Sequence, residues 1–470
     1  MKTPIFHRLE TLSENESIDF LMPGHKKKRA ALEWNKLLPE FDTTETYDTD
    51  NLHDPTDVIG QSMDEVARVY GARRSLFVVN GSSGALHIAM AALTSPGDRV
   101  LIQRNSHISV YNAAILNRLK LSYLHPIYDE ENHIIGGITP QHFQQQLDQN
   151  PDVVAVVLLH PSFYGVCSDL EQLIEMAHER GIFVIVDEAH GPHMHFSDEL
   201  PKSAIAYGAD LIIHSTHKTL PALTQTAMLH VGSDRVDMQR LQTMSRMFQT
   251  TSPSYIFMVS IEAAVAYIDH PEGRERLHDL IESIKWLERE LADLPYIQVF
   301  PRMGGGSYQD RDFTKLMLGI EGMRGTQLRE LLHRRYHIEM EYGDYHWAIG
   351  VCSLMNDRED FEELARALKE LAAEFGKSEE LFVTVPHIEP IAIKDITDAF
   401  YSGHERINLM DSIGRISASY LTPYPPGIPQ LVPGELITLS HLELVRMLQA
   451  KGIPIIGLFG EEHDEIHVIK

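Results

Sequence analysis

Cysteine is almost missing: the 470-residue chain has two, Cys167 and Cys352, far apart and in no CxxC arrangement. That excludes a disulfide framework and a cysteine-rich zinc module, and it points to a reducing compartment. Long apolar runs are missing as well. Val153 to Leu159 and Ile182 to Val186 fall far short of the ~18 residues that cross a bilayer. The opening MKTPIFHRLETLSENESIDF has early acids and no continuous apolar core, so no signal peptide is expected, and a cytoplasmic protein is. Positive charge is scarce too, with 41 Lys and Arg against 67 Asp and Glu, a net charge of −26. The one basic run is Lys26-Lys27-Lys28-Arg29, which makes nucleic acid and anionic membrane poor partners and a small cation a better match in sign.

What is present reads as a globular α/β chain. The length is about three times a typical ~150-residue domain, so two or three domains are expected. Residues 1–60 have no sustained period and hold Pro23-Gly24 and FDTTETYDTDN, which marks a functional arm. From residue 61 short β-branched runs alternate with amphipathic stretches, with strands expected at Ser75–Val79, Arg99–Ile102, Val153–Leu159, Ile182–Val186 and Asp210–His214. Nearly continuous apolar strands between helices imply a mainly parallel sheet covered on both faces. Residues 266–376 read as a smaller α/β unit with a long charged helix (Glu272–Leu294) and a strand at Lys315–Ile320. A linker at Gly376-Lys377-Ser378 then leads to a tail, 377–470, with the turn LTPYPPGIPQLVPGE and the helix HLELVRMLQAKG.

Chemistry in parallel sheets gathers at the carboxyl ends of strands, and polar clusters follow the expected strands there. In LFVVNGSSGALHIAMAAL a strand meets Gly81-Ser82-Ser83-Gly84 and then a helix. This makes either an anion cradle of backbone N–H groups and hydroxyls or a plain Ser-capped turn. In IFVIVDEAHGPHMHF, Asp187 directly follows five apolar residues, and a carboxylate so buried needs a cationic or hydrogen-bonding partner. The DEAH string is also an ATPase magnesium box, but the chain has no GxxxxGK[ST]. His190, His193 and His195 are metal candidates only in an unfamiliar spacing, with no HExxH anywhere, and surface or pocket histidines are the alternative. In ADLIIHSTHKTLPALTQTAML, Lys218 follows a strand with no charge beside it. A lysine desolvated there is an amine nucleophile, and an exposed one is not. RNSHISVYNA places His107 shortly after a strand, a flat ring suited to stacking or an incidental helix-start histidine. Phosphate cradle, buried carboxylate and Schiff-base lysine are together the three protein parts that pyridoxal 5′-phosphate requires.

LMPGHK, DNLHDPTDVI, NGSSG, RNSH, VDEAHGPH, HSTHK and GRISASYLTPYPPGIPQLVPGE, in that order, resemble the Orn/Lys/Arg decarboxylase family over nearly the whole chain. The resemblance implies a fold-type I large domain like the aspartate aminotransferases, a small α/β domain, a C-terminal α+β domain, and active sites shared across a homodimer or higher homo-oligomer. It also implies the shorter form without an amino-terminal wing. Carried over by position, Lys218 resembles the lysine that holds the cofactor aldehyde, and Asp187 the partner of the pyridine nitrogen. His107 would stack on the ring and Ala189 pack beneath it. Ser82, Ser83, Gly84, Ser215 and His217 would be phosphate or near-cofactor contacts, and Thr250 a hydroxyl given to the neighbouring subunit. Where the family often has RNCHKS this chain has Ser106 and Ile108, so a nearby positive charge is lost.

The implied reaction is decarboxylation of a basic amino acid, with a proton returned to Cα from Lys218 or His217. Arginine, giving agmatine for polyamine biosynthesis, is expected first and lysine or ornithine next. An aminotransferase is a more distant reading. Glu45, Asp50, Asp54 and Glu435 are candidate acids for the substrate's cationic end, each of them also readable as a cap or surface charge. No resident metal is expected.

Overall fold

The computed structural model describes residues 17–26, 41–45, 49–300, 308–376, 388, 390–423, 427–450 and 453–470. The expected linker at 377–378, most of PYPP and the end of the basic run lie outside them. Within the arm, Ile18–Phe20 forms a short strand, β1, where no regular structure was expected. The irregular stretch ends just before residue 60, because helix α1 (Val58–Tyr70) starts at Val58 and stops at Gly71, whose φ of 70° is left-handed.

Strands and helices then alternate as β2 (Arg74–Val78), α2 (Gly81–Leu93), β3 (Arg99–Gln103), α3 (Ile108–Leu116), β4 (Lys120–Leu124), β5 (Val153–Leu159), β6 (Phe183–Asp187), β7 (Leu211–His214), α4 (Thr216–Thr219) and β8 (Ala227–Val231). One seven-stranded sheet results, in the order β2-β8-β7-β6-β5-β3-β4. Only β8 runs against its neighbours. The apolar strands have the cause inferred for them. Val156, Val184 and Ile212 pack into a core on one face, and Val157, Ile185 and Ile213 into a second core on the other. Register then does the positioning, since Leu159, Asp187 and Ile213 lie level across β5, β6 and β7. Their following loops therefore open onto one edge.

A second, four-stranded antiparallel sheet comprises β9 (Ile297–Val299), β10 (Lys315–Ile320), β12 (Tyr342–Gly343) and β13 (Ala348–Val351) in the order β9-β10-β13-β12. The intervening strand β11 (Ile338–Met340) pairs in parallel with β1. Phe20 of β1 is buried edge-on against Phe361, in the amphipathic helix α5 (Arg358–Phe375). The arm is thus stitched to this second unit by backbone pairing and an aromatic anchor.

The arm also reaches the first unit. Gly24 N–H donates to the His217 carbonyl at 2.7 Å, and a Cβ on Gly24 would stand 2.6 Å from the Leu220 carbonyl oxygen. Only glycine lets the arm lie this close to the α4 turn.

In the tail, β14 (His404–Asn408) pairs antiparallel with β15 (Glu465–Ile469), and α6 (Leu439–Ala450) covers a small core of its own. A buried ion pair, Arg104 Nη2 to Glu435 at 3.1 Å, ties the tail to the loop after β3. Arg104 further donates to the Pro429 carbonyl at 2.7 Å and to Tyr111 Oη at 3.0 Å. Glu435 is therefore engaged inside the protein, and its expected candidacy for the substrate's charge is corrected: a cation already sits on it. Breaking such a pair strands a buried charge. Glu435→Ala is expected to lower the unfolding free energy by about 3–5 kcal/mol in chemical denaturation, with Arg104→Met/Glu435→Leu recovering most of the loss.

Candidate active site

A cleft of about 470 Å³ opens at the carboxyl edge of the large sheet. The segments after five strands line it: Ser82 and Ser83 after β2, Asn105 and His107 after β3, Phe163 after β5, Asp187, Ala189 and His190 at the end of β6, and Ser215, His217 and Lys218 after β7. Sequence-distant residues meet there because the strands are parallel and level.

The turn before α2 has the geometry that an anion cradle needs. Gly81 has a φ of 77°, and Asn80 at the helix start gives no side-chain cap but donates instead to the Phe248 carbonyl at 2.9 Å. The first N–H groups of a 13-residue helix are left to the cleft, with the positive end of the helix dipole behind them. Ser215 Oγ donates to Ser82 Oγ at 2.7 Å, bringing hydroxyls from two segments to the same place. Gly84 lies behind this turn and does not line the cleft. A Cβ there would meet the Asn80 side chain at 2.3–2.4 Å, so its bareness admits Asn80.

Asp187 is buried, and burial pushes its carboxyl above the usual range against the opposing pull of Lys218. Its described hydrogen bond is one backbone donor, Ala189 N–H at 3.2 Å. Such a carboxylate retains acceptor capacity for a protonated ring nitrogen. Lys218 keeps part of its surface open to the cleft, and desolvation lowers its pKa to about 8, with Asp187 pulling the other way. Its Nζ lies 2.9 Å from His190 Nε2. Burial first and Lys218 second hold His190 well below the ordinary histidine range, so it is neutral at physiological pH.

His107 and His217 are neutral as well. Burial brings each to about 4, aided by Lys218. His107 Nδ1 accepts the Ser109 N–H at 3.2 Å, which caps α3 and sets the ring. His217 Nδ1 faces the Thr226 carbonyl at 2.9 Å, which makes Nδ1 the protonated nitrogen.

Thr250 stands outside this cleft. It is exposed, and its carbonyl is 2.7 Å from His53 Nε2. Of the remaining acids considered, Asp50 accepts N–H groups of Thr56, Asp57, Ile59 and Gly60 and so organises the start of α1. Asp54 pairs with Arg246 at the surface, and Glu45 is exposed. The metal reading of the HxxHxH string is not supported by the placement of its histidines. His190 meets Lys218, His193 contacts Thr314 Oγ1 at 3.1 Å, and His195 lies against the Tyr70 ring.

Two cleft residues carried no usable signal. Glu341, between β11 and β12, enters from the second unit, and its Oε2 accepts the Met22 N–H at 2.7 Å. Asn105 gave none beyond its place before His107. His190 did sit in a motif, but proximity to a lysine 28 positions away is not visible in one dimension. Of the arm's PGHK, Lys26 is buried and donates to the carbonyls of Leu21 and Val351 at 2.6 and 2.7 Å. It serves as a staple rather than as part of a basic patch.

Comparison with known proteins agrees with this geometry. The profile "Orn/Lys/Arg decarboxylase, major domain" matches residues 3–313, and "Orn/Lys/Arg decarboxylase, C-terminal domain" matches 377–453. A Bacillus anthracis protein named arginine decarboxylase is 32% identical, covering 100% of this chain and 97% of its own. A Bacillus cereus protein of the same name is 34% identical over 92% of this chain and 96% of its own. In fold, the Francisella novicida lysine decarboxylase LdcF superposes with a TM-score of 0.77 at 20% identity, over 99% of this chain and 81% of that one. The architecture is α/β with a fold-type I large domain, and the chain belongs to the Orn/Lys/Arg decarboxylase family of amino-acid decarboxylases.

Proposed function

We propose that this protein decarboxylates L-arginine to agmatine, using pyridoxal 5′-phosphate in the cleft described. The observation that carries the proposal is the convergence of Lys218, Asp187 and the Ser82–Ser83 cradle on one cleft, with relatives named arginine decarboxylase matching the chain from end to end. Pyridoxal phosphate, when bound, supplies an electron sink for the bond that loses CO₂. The first turn of α2, Ser82, Ser83 and Ser215 would hold its phosphate; Gly84 shapes that turn from behind. Asp187 would keep a proton on the ring nitrogen. His107 would cover one ring face and Ala189 pack on the other.

The proton work falls to Lys218. A pKa near 8 leaves its amine partly neutral at physiological pH, ready to attack an aldehyde. His190 Nε2 accepts a hydrogen bond from Nζ and orients it. After CO₂ leaves, Lys218 Nζ is the group to deliver a proton to the substrate Cα. His217, expected as an alternative donor, is neutral with its one proton on Nδ1 committed to the Thr226 carbonyl, so we leave it the role of a cofactor contact. Glu341 is the carboxylate of the lining besides Asp187, and we assign it to the substrate's cationic end. In the same reading the protein is a cytoplasmic homodimer serving polyamine biosynthesis. Thr250, exposed and away from its own cleft, would then serve the neighbouring subunit's phosphate. The chain divides into arm (1–60), cofactor domain (61–265), small domain (266–376) and tail (377–470).

Incubation with the cofactor and arginine, lysine or ornithine in turn, with amines identified by mass spectrometry, is expected to give agmatine fastest. A dominant cadaverine or putrescine product would move the assignment to lysine or ornithine, and a keto acid would refute decarboxylation. Lys218→Ala is expected to abolish turnover and the visible absorbance of the lysine-bound cofactor. Glu341→Gln, which retains an acceptor for Met22 N–H, is expected to raise KM for arginine by roughly tenfold or more with a smaller change in kcat. The capture rate of pyridoxal phosphate by cofactor-free protein should rise with pH by up to about tenfold per unit and level off near pH 8. A rise continuing towards the ordinary lysine range would show that Lys218 is not desolvated.

A further inference from the structure

Beside the cleft, with Ile428 in the wall of both, lies a second cavity of about 180 Å³, at the junction of the large unit, the second sheet and the tail. One water needs only ~10–15 Å³, so a molecule of several heavy atoms fits. The rings of Tyr128, Tyr164, Tyr342 and Tyr345 line it together with the Asp344 carboxylate, and Met447 of α6 closes one side.

Asp344 is the unusual member. Its Oδ1 accepts the N–H groups of His346 and Trp347 at 2.7 and 2.6 Å, a local turn that asparagine would make equally well. Among the described residues its Oδ2 accepts only the Tyr164 hydroxyl, at 3.1 Å. No cationic side chain among the described residues offsets its charge, and burial pushes its carboxyl up to about 6. An uncompensated carboxylate facing a cavity walled by phenol rings is the arrangement that attracts an organic cation, by charge and by cation–π contact. The aliphatic side chains of the wall, Met447 and Leu444 among them, suit a short alkyl chain.

We propose that this cavity is a second binding site, distinct from the cleft, for a short alkyl cation bearing an ammonium or guanidinium head seated on Asp344 Oδ2. The ligand class follows from the lining. Only its kinship with the amine released in the cleft rests on the decarboxylase reading. The two sites are linked by stacked rings: Phe163, a cleft residue, packs edge-on against Tyr342 at 5.8 Å and against His190 at 6.0 Å between centroids. An occupant would therefore sit two rings, Tyr342 and Phe163, away from the residue that orients Lys218.

Calorimetric titration of the cofactor-loaded protein with agmatine, and separately with putrescine, tests the site. The expected result is a binding event that Asp344→Asn weakens by about tenfold or more. Met447→Trp, which fills the cavity from a different element, should remove the same event, and Glu341→Gln in the cleft should leave it intact. Titrations of Asp344→Asn and Met447→Trp that match the unsubstituted protein would overturn the proposal, as would binding abolished by Glu341→Gln alone. Should Asp344→Asn fail to fold, Met447→Trp decides by the same criterion. Asp344-dependent binding in a protein that decarboxylates none of the three amino acids would sink the functional reading and leave this one standing. Decarboxylation without Asp344-dependent binding would do the reverse.

Discussion

Withdrawal of one amine from water governs this molecule. Lys218 has a useful neutral fraction only because the cleft desolvates it, and desolvation of a lysine is tolerable only beside compensating groups. Asp187 supplies opposite charge, and His190 supplies a neutral acceptor at 2.9 Å. Every larger feature of the fold bears on keeping that environment. The parallel sheet brings β6 and β7 level, the arm presses Gly24 onto the α4 turn, and the second unit delivers Glu341 from across the cleft.

Polar groups beneath the cleft floor are satisfied in a chain that holds the same strand ends together. Glu188, next to Asp187, accepts the Ala204 N–H at 2.6 Å and lies 2.8 Å from His214, next to Ser215. His214 in turn contacts His230 at 3.1 Å, and His230 contacts Ser75 at 2.7 Å. These side chains are fully or almost fully buried, where an unpaired polar atom is costly and a connected series is rigid. The cleft side chains therefore project from backbone held by two sets of contacts, the polar relay and the arm.

Much of this was legible in one dimension. β5 and β10 match their expected spans at both ends, because a covered parallel strand reads as an unbroken apolar run and this central antiparallel strand as a mostly apolar one. Ser82, His107, Asp187 and Lys218 stand out in sequence because strand-end chemistry leaves local motifs, and Ser215 through the family resemblance; the structure gathers all five in one cleft. Contacts made across long separations were not legible. β1 is three residues whose partner lies more than 300 positions away, so no period announces it. Glu341 occupies a short link between strands and resembles any surface acid in sequence, as Lys26 resembles part of a basic run. Glu435 fits neither reading open to it, substrate ligand or cap and surface charge, because its charge is spent on buried Arg104.

The central claim, that the buried amine of Lys218 is where the cofactor is held, can be tested directly. Protein loaded with pyridoxal phosphate, reduced with borohydride and digested, should show the reduced pyridoxyl group on the peptide containing Ser215 to Leu220 at a stoichiometry near one per chain. The cofactor mass on any other lysine-containing peptide, with the Lys218 peptide unmodified, would contradict the account.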